Sequence, residues 1–132
     1  YAHHPTEVAA TLKAVRNFAQ SRIWCIFQPH TYSRTKSLMD DFSTAFKDAD
    51  IVIVADIYAA READTGEVSS GMLADRISST GKQVIYIRDF ESIVEYLDKN
   101  AISSDLIITM GAGDIYKVGE LFLEAHKSLA VS

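Results

Sequence analysis

Residues Ile23-Trp24-Cys25-Ile26-Phe27 decide how this chain is expected to fold. The run is too short and too continuously apolar for a surface helix, so it predicts a strand that is buried on both faces. Similar apolar runs recur at residues 51–55, 84–87 and 105–110. Strands of this kind are typical of parallel sheets, in which helices cover both faces.

Helical patterns separate the predicted strands. Apolar residues recur at helical spacing over about residues 6–20, another helix runs from about 70 to 80 and stops at Gly81, and Asp89 can cap the next. Two further helices carry apolar stripes, namely Leu38, Met39, Phe42, Ala45 and Phe46, and then Ile115, Val118, Phe122, Ala125 and Leu129. This alternation predicts a Rossmann-like α/β domain with a mostly parallel sheet and helices on both faces. Such domains bind ligands at the carboxyl ends of their strands.

Composition narrows the classes of function. The chain of 132 residues fits a single domain, and its net charge of −5, without a basic cluster, argues against a nucleic-acid partner. Cys25 is the single cysteine and lies in an apolar run, which favours packing over catalysis and fits a reducing cytoplasm. No apolar stretch approaches the roughly 18 residues of a membrane span, so no membrane partner is expected.

Unusual residues begin at the first position, in Tyr1-Ala2-His3-His4-Pro5-Thr6-Glu7. Pro5 suits the first turn of a helix, and Glu7 places negative charge near the positive end of the helix dipole. Both histidines therefore lie at a helix start, and we interpret the chain as an excised part of a larger protein. A zinc site is rejected, because adjacent residues rarely bind one ion and no suitably spaced partners follow.

Polar loops follow the first two predicted strands. Gln28-Pro29-His30-Thr31-Tyr32-Ser33-Arg34-Thr35 places His30 and Arg34 around a helix start, where either can bind a carboxylate or phosphate. The alternative is that Ser33 or Thr35 caps the helix and Arg34 is only solvated. The loop after residue 55 begins with Asp56 and is longer than usual, which suggests function. Asp56 itself is either a ligand contact or a strand-terminating acid.

Gly111-Ala112-Gly113-Asp114 follows the fourth predicted strand. The dinucleotide pattern G-x-G-x-x-G is not met, because Tyr116 stands at the third glycine position. Asp114 is placed to cap the last helix and would repel a phosphate. A tight structural turn is therefore favoured over a nicotinamide site. The chain also has no Walker A motif.

Four segments of the chain carry a family resemblance. They are Tyr-Ala-His-His-Pro-Thr-Glu at 1–7, Phe-Gln-Pro-His-Thr-Tyr-Ser-Arg-Thr at 27–35, Asp-Ile-Tyr-Ala-Ala-Arg-Glu at 56–62 and Met-Gly-Ala-Gly-Asp at 110–114. In that order they resemble the C-terminal domain of the Mur ligase family, in particular the members that join L-alanine to UDP-N-acetylmuramate. The resemblance covers essentially residues 1–132. Other Mur ligases and folylpolyglutamate synthase resemble the opening only partly. Thr31 stands where many members have Arg, so an anion contact at that position is not carried over.

The resemblance implies a cytoplasmic, three-domain enzyme of bacterial peptidoglycan synthesis. Its N-terminal domain would bind the UDP-sugar, its central domain would supply the P-loop and hold most of the Mg²⁺ contacts, and this domain would close over both. ATP would phosphorylate the muramic acid carboxylate, and the amine of L-alanine would then displace phosphate. The implied ATP contacts are His3, His4 and Asp56, and the implied L-alanine contacts are Tyr1, His30 and Arg34.

Two other functions remain open at this point. A related ligase attaches a recycled peptide to the same UDP-sugar, and an assay of alanine against tripeptide separates the two enzymes. The other alternative is a non-catalytic α/β binding module. A Walker A motif upstream in the parent gene would exclude that module.

Overall fold

The fold follows the predicted alternation of strands and helices. A computed structural model describes the backbone of residues 3–131 and the side chains of residues 3–124. Along the chain the elements are α1 (Pro5–Phe18), β1 (Ile23–Phe27), α2 (Tyr32–Ser37), α3 (Met39–Ser43), β2 (Ile51–Val54), α4 (Ser70–Ser78), β3 (Gln83–Tyr86), α5 (Phe90–Asn100), β4 (Leu106–Met110) and α6 (Tyr116–Val131).

The four strands form one parallel sheet in the order β3-β2-β1-β4. Its side chains alternate between two apolar layers, as the pleat of a strand requires. Cys25 and Phe27 of β1 pack with α1, α3 and α4, whereas Trp24 and Ile26 pack with α5 and α6. The predicted Rossmann-like fold with helices on both faces is confirmed.

The strand order places a topological switch beside β1. The chain runs outward from β1 through β2 to β3 and then returns to lay β4 on the other side of β1. Phe27, the last residue of β1, is in register with Val54 of β2 and Met110 of β4. The loops that follow these strands therefore leave the sheet at one edge, where ligands bind in open α/β sheets. We call this the carboxyl edge.

The helical segment after β1 differs from the sequence prediction. The apolar stripe packs into the core as expected, but the segment is divided into α2 and α3 at Leu38 (φ −106°, ψ 13°). The hydroxyls of Thr35 and Ser37 donate to backbone carbonyls four residues earlier, at 2.7 and 2.8 Å. Such bonds compete with regular helix geometry and often bend helices.

Two predicted helix ends agree with the structure. Gly81 has φ +90° just beyond α4, which fits the predicted left-handed stop. The Asp89 carboxylate accepts a hydrogen bond from the backbone N–H of Ser92 at 3.0 Å and so caps α5 as expected. Among the described residues, no helix is both long enough and apolar enough to cross a bilayer.

Candidate functional site

Two loops are joined at the carboxyl edge beyond the ends of β1 and β2. The Tyr58 N–H donates to the Pro29 carbonyl, and the Thr31 N–H donates to the Tyr58 carbonyl, each at 2.8 Å. These bonds form a parallel bridge between His30 and Tyr58. The loop predicted to bind a ligand is therefore held by its neighbour, so that both present side chains from one rigid surface.

His30 lies at the centre of this surface. Its ring stacks on Tyr58, with 5.8 Å between ring centroids, and meets the edge of His3 at 6.0 Å. Burial, together with the charges of Arg34 and His3, lowers the pKa of His30, so the imidazole is neutral at neutral pH. Its buried Nδ1 has no hydrogen-bond partner within the described part of the chain. A neutral ring of this kind can accept or donate one bond to a ligand.

The two adjacent histidines make different contacts at the start of α1. His4 is the N-cap: its Nδ1 accepts a hydrogen bond from the Thr6 N–H at 3.2 Å, and its own N–H donates to the Glu7 carboxylate at 3.3 Å. His3 instead faces His30, and its Nδ1 lies 3.9 Å from the Glu7 carboxylate. The structure thus brings His3 and His30 together and engages His4 in a capping box. Tyr1 lies outside the described residues.

The start of α2 is capped from two directions. Thr31, not Ser33 or Thr35, is the N-cap, and its hydroxyl accepts from the Arg34 N–H at 3.3 Å. The Glu62 carboxylate accepts from the N–H groups of Tyr32 at 2.7 Å and Ser33 at 3.0 Å, and from the Ser33 hydroxyl. These bonds fix the turn that carries Arg34, whose side chain is exposed.

Asp56 lies at the same edge but is engaged by the end of β3. The Tyr86 hydroxyl donates to its carboxylate, and this bond raises the pKa of Tyr86 to about 12. The Arg88 guanidinium lies 3.7 Å from the same carboxylate. Asp56 opens onto a cleft of about 350 Å³, whose wall also includes Gln28, Tyr58, Arg88, Asp89 and Asp114.

The glycine turn after β4 closes one side of this cleft. Gly111 has φ +151°, and a Cβ there would lie 2.8 Å from the Gln28 carbonyl. A Cβ at Gly113 would lie 2.7 Å from the Tyr58 ring. The Asp114 carboxylate accepts from the Gln28 side-chain amide at 3.1 Å. The glycines thus permit close packing of the turn, as the structural interpretation predicted.

Burial determines the chemistry of the single cysteine. Cys25 is fully buried in β1, and burial raises the pKa of its thiol to about 12, which leaves almost no thiolate at neutral pH. Within residues whose side chains are described, no three His, Cys, Asp or Glu residues cluster as metal ligands.

Sequence reasoning missed three residues that build this surface. Tyr58 supports His30, Glu62 caps α2, and Gln28 links the ends of β1 and β4 through Asp114. The unusual length of the loop after β2 pointed to the right segment. It did not single out Tyr58 or Glu62, because their partners lie about 30 residues earlier in the chain.

Comparisons with known proteins identify the family of this chain. The family model described as "Mur ligase, glutamate ligase domain" matches residues 1–113. The chain is 63% identical, over all 132 residues, to the UDP-N-acetylmuramate–L-alanine ligase of Acetivibrio thermocellus, and covers 28% of that protein. It is 60% identical over 127 residues to the enzyme of the same name from Caldanaerobacter subterraneus subsp. tengcongensis, covering 96% of this chain and 28% of that protein.

A solved structure gives the same result at the level of the fold. The crystal structure of UDP-N-acetylmuramate–alanine ligase from Thermotoga maritima superposes with a TM-score of 0.73 at 27% identity. The match covers 97% of this chain and 26% of the other. The chain thus spans little more than a quarter of the relatives that it matches. On the family match and the shared fold, this chain belongs to the Mur ligase family, as its glutamate ligase domain.

Proposed function

We propose that this chain is the C-terminal domain of an ATP-dependent ligase that joins L-alanine to UDP-N-acetylmuramate in peptidoglycan synthesis. The observation that carries the proposal is the meeting of His3, His30 and the Arg34 turn at the carboxyl edge. The relatives at 60–63% identity bear the name of that ligase and extend well beyond the matched segment. The UDP-sugar and P-loop domains would lie in the remainder of such a protein.

The proposed reaction has two steps. A carboxylate oxygen of the muramic acid attacks the γ-phosphorus of ATP, the bond from that phosphorus to the bridging oxygen breaks, and ADP leaves as the acyl phosphate forms. The amine nitrogen of L-alanine then attacks the acyl carbon, the C–O bond to phosphate breaks, and phosphate leaves with the electron pair while the amine loses a proton. Because the amine must be neutral and well placed, this domain contributes mainly orientation.

Arg34 and His30 form the proposed amino-acid end of the site, together with Tyr1. The exposed guanidinium of Arg34 can pair with the L-alanine carboxylate through two parallel hydrogen bonds. The neutral imidazole of His30 adds one hydrogen bond without adding charge next to the amine. Tyr58 and Glu62 hold these groups in place through contacts with the loop.

His3, His4 and Asp56 are the proposed ATP contacts. His3 faces the site directly, whereas the Nδ1 of His4 is already used in capping α1. Asp56 opens onto the cleft beside β3 with its carboxylate held by Tyr86. The described side chains form no cluster of metal ligands, and we propose that the central domain holds most of the Mg²⁺ contacts. We further propose a cytoplasmic enzyme without nucleic-acid or membrane partners.

Arg34→Lys in the full-length ligase tests the proposal. Lysine keeps the charge but cannot copy the bidentate geometry, so the KM for L-alanine should rise by about 10- to 150-fold. The KM values for ATP and UDP-N-acetylmuramate and the melting temperature should stay near wild type. Steady-state kinetics with each substrate varied in turn measures the three KM values.

Arg76→Lys is a matched control, because Arg76 is an exposed arginine in the last turn of α4 that pairs with Asp40. This variant should keep wild-type kinetics. An unchanged L-alanine KM in the Arg34 variant would contradict the proposed amino-acid site.

The related ligase that attaches a recycled peptide is the second candidate. The same full-length protein should use L-alanine far better than the tripeptide if our proposal is right. Preference for the tripeptide would reassign the substrate while leaving the reaction type intact. A parent gene without a Walker A motif would instead favour the non-catalytic binding module.

A further inference from the structure

We propose that Glu62 is a positioning residue for the amino-acid end of the site, and that it acts by holding the turn that carries Arg34. This inference rests on the proposed function of Arg34. Glu62 belongs to the loop after β2, whereas Arg34 belongs to α2. Folding alone brings these two segments together.

The contacts of Glu62 use both of its carboxylate oxygens. One oxygen accepts from the backbone N–H groups of Tyr32 at 2.7 Å and Ser33 at 3.0 Å, and the other accepts from the Ser33 hydroxyl. The Ser33 hydroxyl and these N–H groups hold the pKa of Glu62 below its usual range, so the group is a carboxylate at neutral pH. Negative charge at this place also complements the helix dipole.

α2 needs this support because it is short and begins from an unusual backbone conformation. It has only six residues, and isolated helices of that length are unstable. Its N-cap Thr31 has φ +62°, a region that non-glycine residues rarely adopt. The Thr31 hydroxyl accepts from the Arg34 N–H at 3.3 Å, whereas the Glu62 carboxylate accepts from the two N–H groups before it. The first turn of α2 is thus completed by a distant residue.

The segment that carries Glu62 is itself fixed. Tyr58 is bonded to Pro29 and Thr31, and the Glu62 N–H donates to the Ala59 carbonyl at 3.0 Å. Ala60 adopts φ +55° within this turn. Glu62 therefore contacts α2 from a segment that is itself held by hydrogen bonds. Removing the Glu62 carboxylate should loosen the Arg34 turn without unfolding the sheet.

Glu67 provides a matched control in the same loop. It also contacts α2, through Lys36 at 2.9 Å, but both side chains are about 60% exposed and the pair does not involve the helix backbone. Exposed ion pairs of this kind contribute little to the stability of a fold. Glu67→Ala should therefore leave the kinetics unchanged.

The test uses the full-length ligase and measures the KM of each substrate. Glu62→Ala should raise the KM for L-alanine by about 10-fold, since hydrogen bonds to a charged group are lost. The KM values for ATP and UDP-N-acetylmuramate should not change. Glu62→Gln keeps one acceptor oxygen and should show a smaller rise, and it serves as the folded variant if Glu62→Ala is unstable.

A double-mutant cycle separates positioning from general stability. If Glu62 acts through Arg34, adding Glu62→Ala to Arg34→Lys should raise the L-alanine KM little further than Arg34→Lys alone. Fully additive effects, or equal rises in all three KM values, would overturn the inference. If Arg34→Lys raises the L-alanine KM but neither Glu62 variant does, this inference alone fails. If none of them does, the proposed amino-acid site fails with it.

Discussion

His3 and His4 are neighbours in the chain, yet their surroundings in the folded domain differ. The Nδ1 of His4 accepts the Thr6 N–H and so serves the first turn of α1, whereas the ring of His3 lies 6.0 Å from that of His30. One residue of separation turns the two side chains in different directions at a helix start. The same residue type therefore serves the helix in one case and the candidate site in the other.

Substituting each histidine in turn should separate the capping role of His4 from the role of His3 in the candidate site. His4→Ala removes a cap, which typically costs about 1 kcal/mol, and should lower the free energy of unfolding measured by urea denaturation. His3→Ala should leave stability nearly unchanged and, in the full-length ligase, should weaken the use of ATP far more than the use of L-alanine. Equal effects of His3→Ala on both substrates, or loss of folding, would assign His3 a structural role.

Asp105 supplies a second prediction at the level of single residues. Its carboxylate accepts from Arg22 at 2.7 Å, from the Trp24 indole N–H at 2.8 Å and from the Ile102 N–H at 3.0 Å, while its side chain is only 1% exposed. The Arg22 hydrogen bond is the chief cause that lowers the pKa of Asp105 to about 2. A pKa that is lower in the folded state than in the unfolded state stabilises the fold when the group is ionised.

This stabilisation should be fully present above about pH 4, the usual range of an unfolded aspartate, and should be lost as the pH falls through about 2. Asp105→Asn should therefore reduce the free energy of unfolding by about 2 kcal/mol at neutral pH, and by progressively less in acid. Urea denaturation of both proteins across this pH range measures the difference. A gap that does not vary with pH would mean that the charge of Asp105 is unimportant.

At the level of elements, the glycine turn between β4 and α6 constrains the carboxyl edge. Gly111→Ala must accommodate φ +151° and a Cβ only 2.8 Å from the backbone carbonyl of Gln28. We expect it to destabilise the domain by about 1–3 kcal/mol in chemical denaturation. At Gly119 within α6, no described residue lies within 4 Å of the new Cβ, and Gly119→Ala should be neutral or mildly stabilising. Equal stability of the two variants would show that the turn can relax.

The division of α2 from α3 has a consequence at the same level. An unbroken helix over this segment would need no second support, but a six-residue α2 depends on Thr31 and Glu62 for its first turn. The first turn of the element that presents Arg34 is therefore held by Thr31 and Glu62. This arrangement explains why residues outside the candidate site, such as Glu62, should influence it.

For the whole molecule, we expect the 132-residue chain alone to have neither ligase nor ATPase activity. It contains no Walker A motif, so the phosphates of ATP have no P-loop to hold them. The measurement is phosphate release from ATP with UDP-N-acetylmuramate and L-alanine present. Phosphate release that depends on UDP-N-acetylmuramate would contradict this expectation.

Much of the architecture could be predicted from local patterns. The predicted run at Ile23–Phe27 matches β1, and the other strands differ from prediction by about one residue at their ends. Burial drives this agreement, because a continuous apolar run has no stable position except between two layers of helices. The position of the polar loops could also be predicted, because the loops that follow parallel strands all leave the sheet at its carboxyl edge.

The arrangement within that edge was decided only by the tertiary structure. Thr31 caps α2, whereas the alternative interpretation of the sequence assigned the cap to Ser33 or Thr35, and the bridge to Tyr58 holds Thr31 at φ +62°. The pairing of Glu62 with Ser33 joins residues 29 positions apart. Many carboxylates in the chain could satisfy those N–H groups equally well by chemistry alone. The sequence by itself therefore determined the sheet, its covering helices and the edge where the site lies, through local apolar patterning. Which side chains meet at that edge depends on how two loops pack against each other, and only the folded chain decides that.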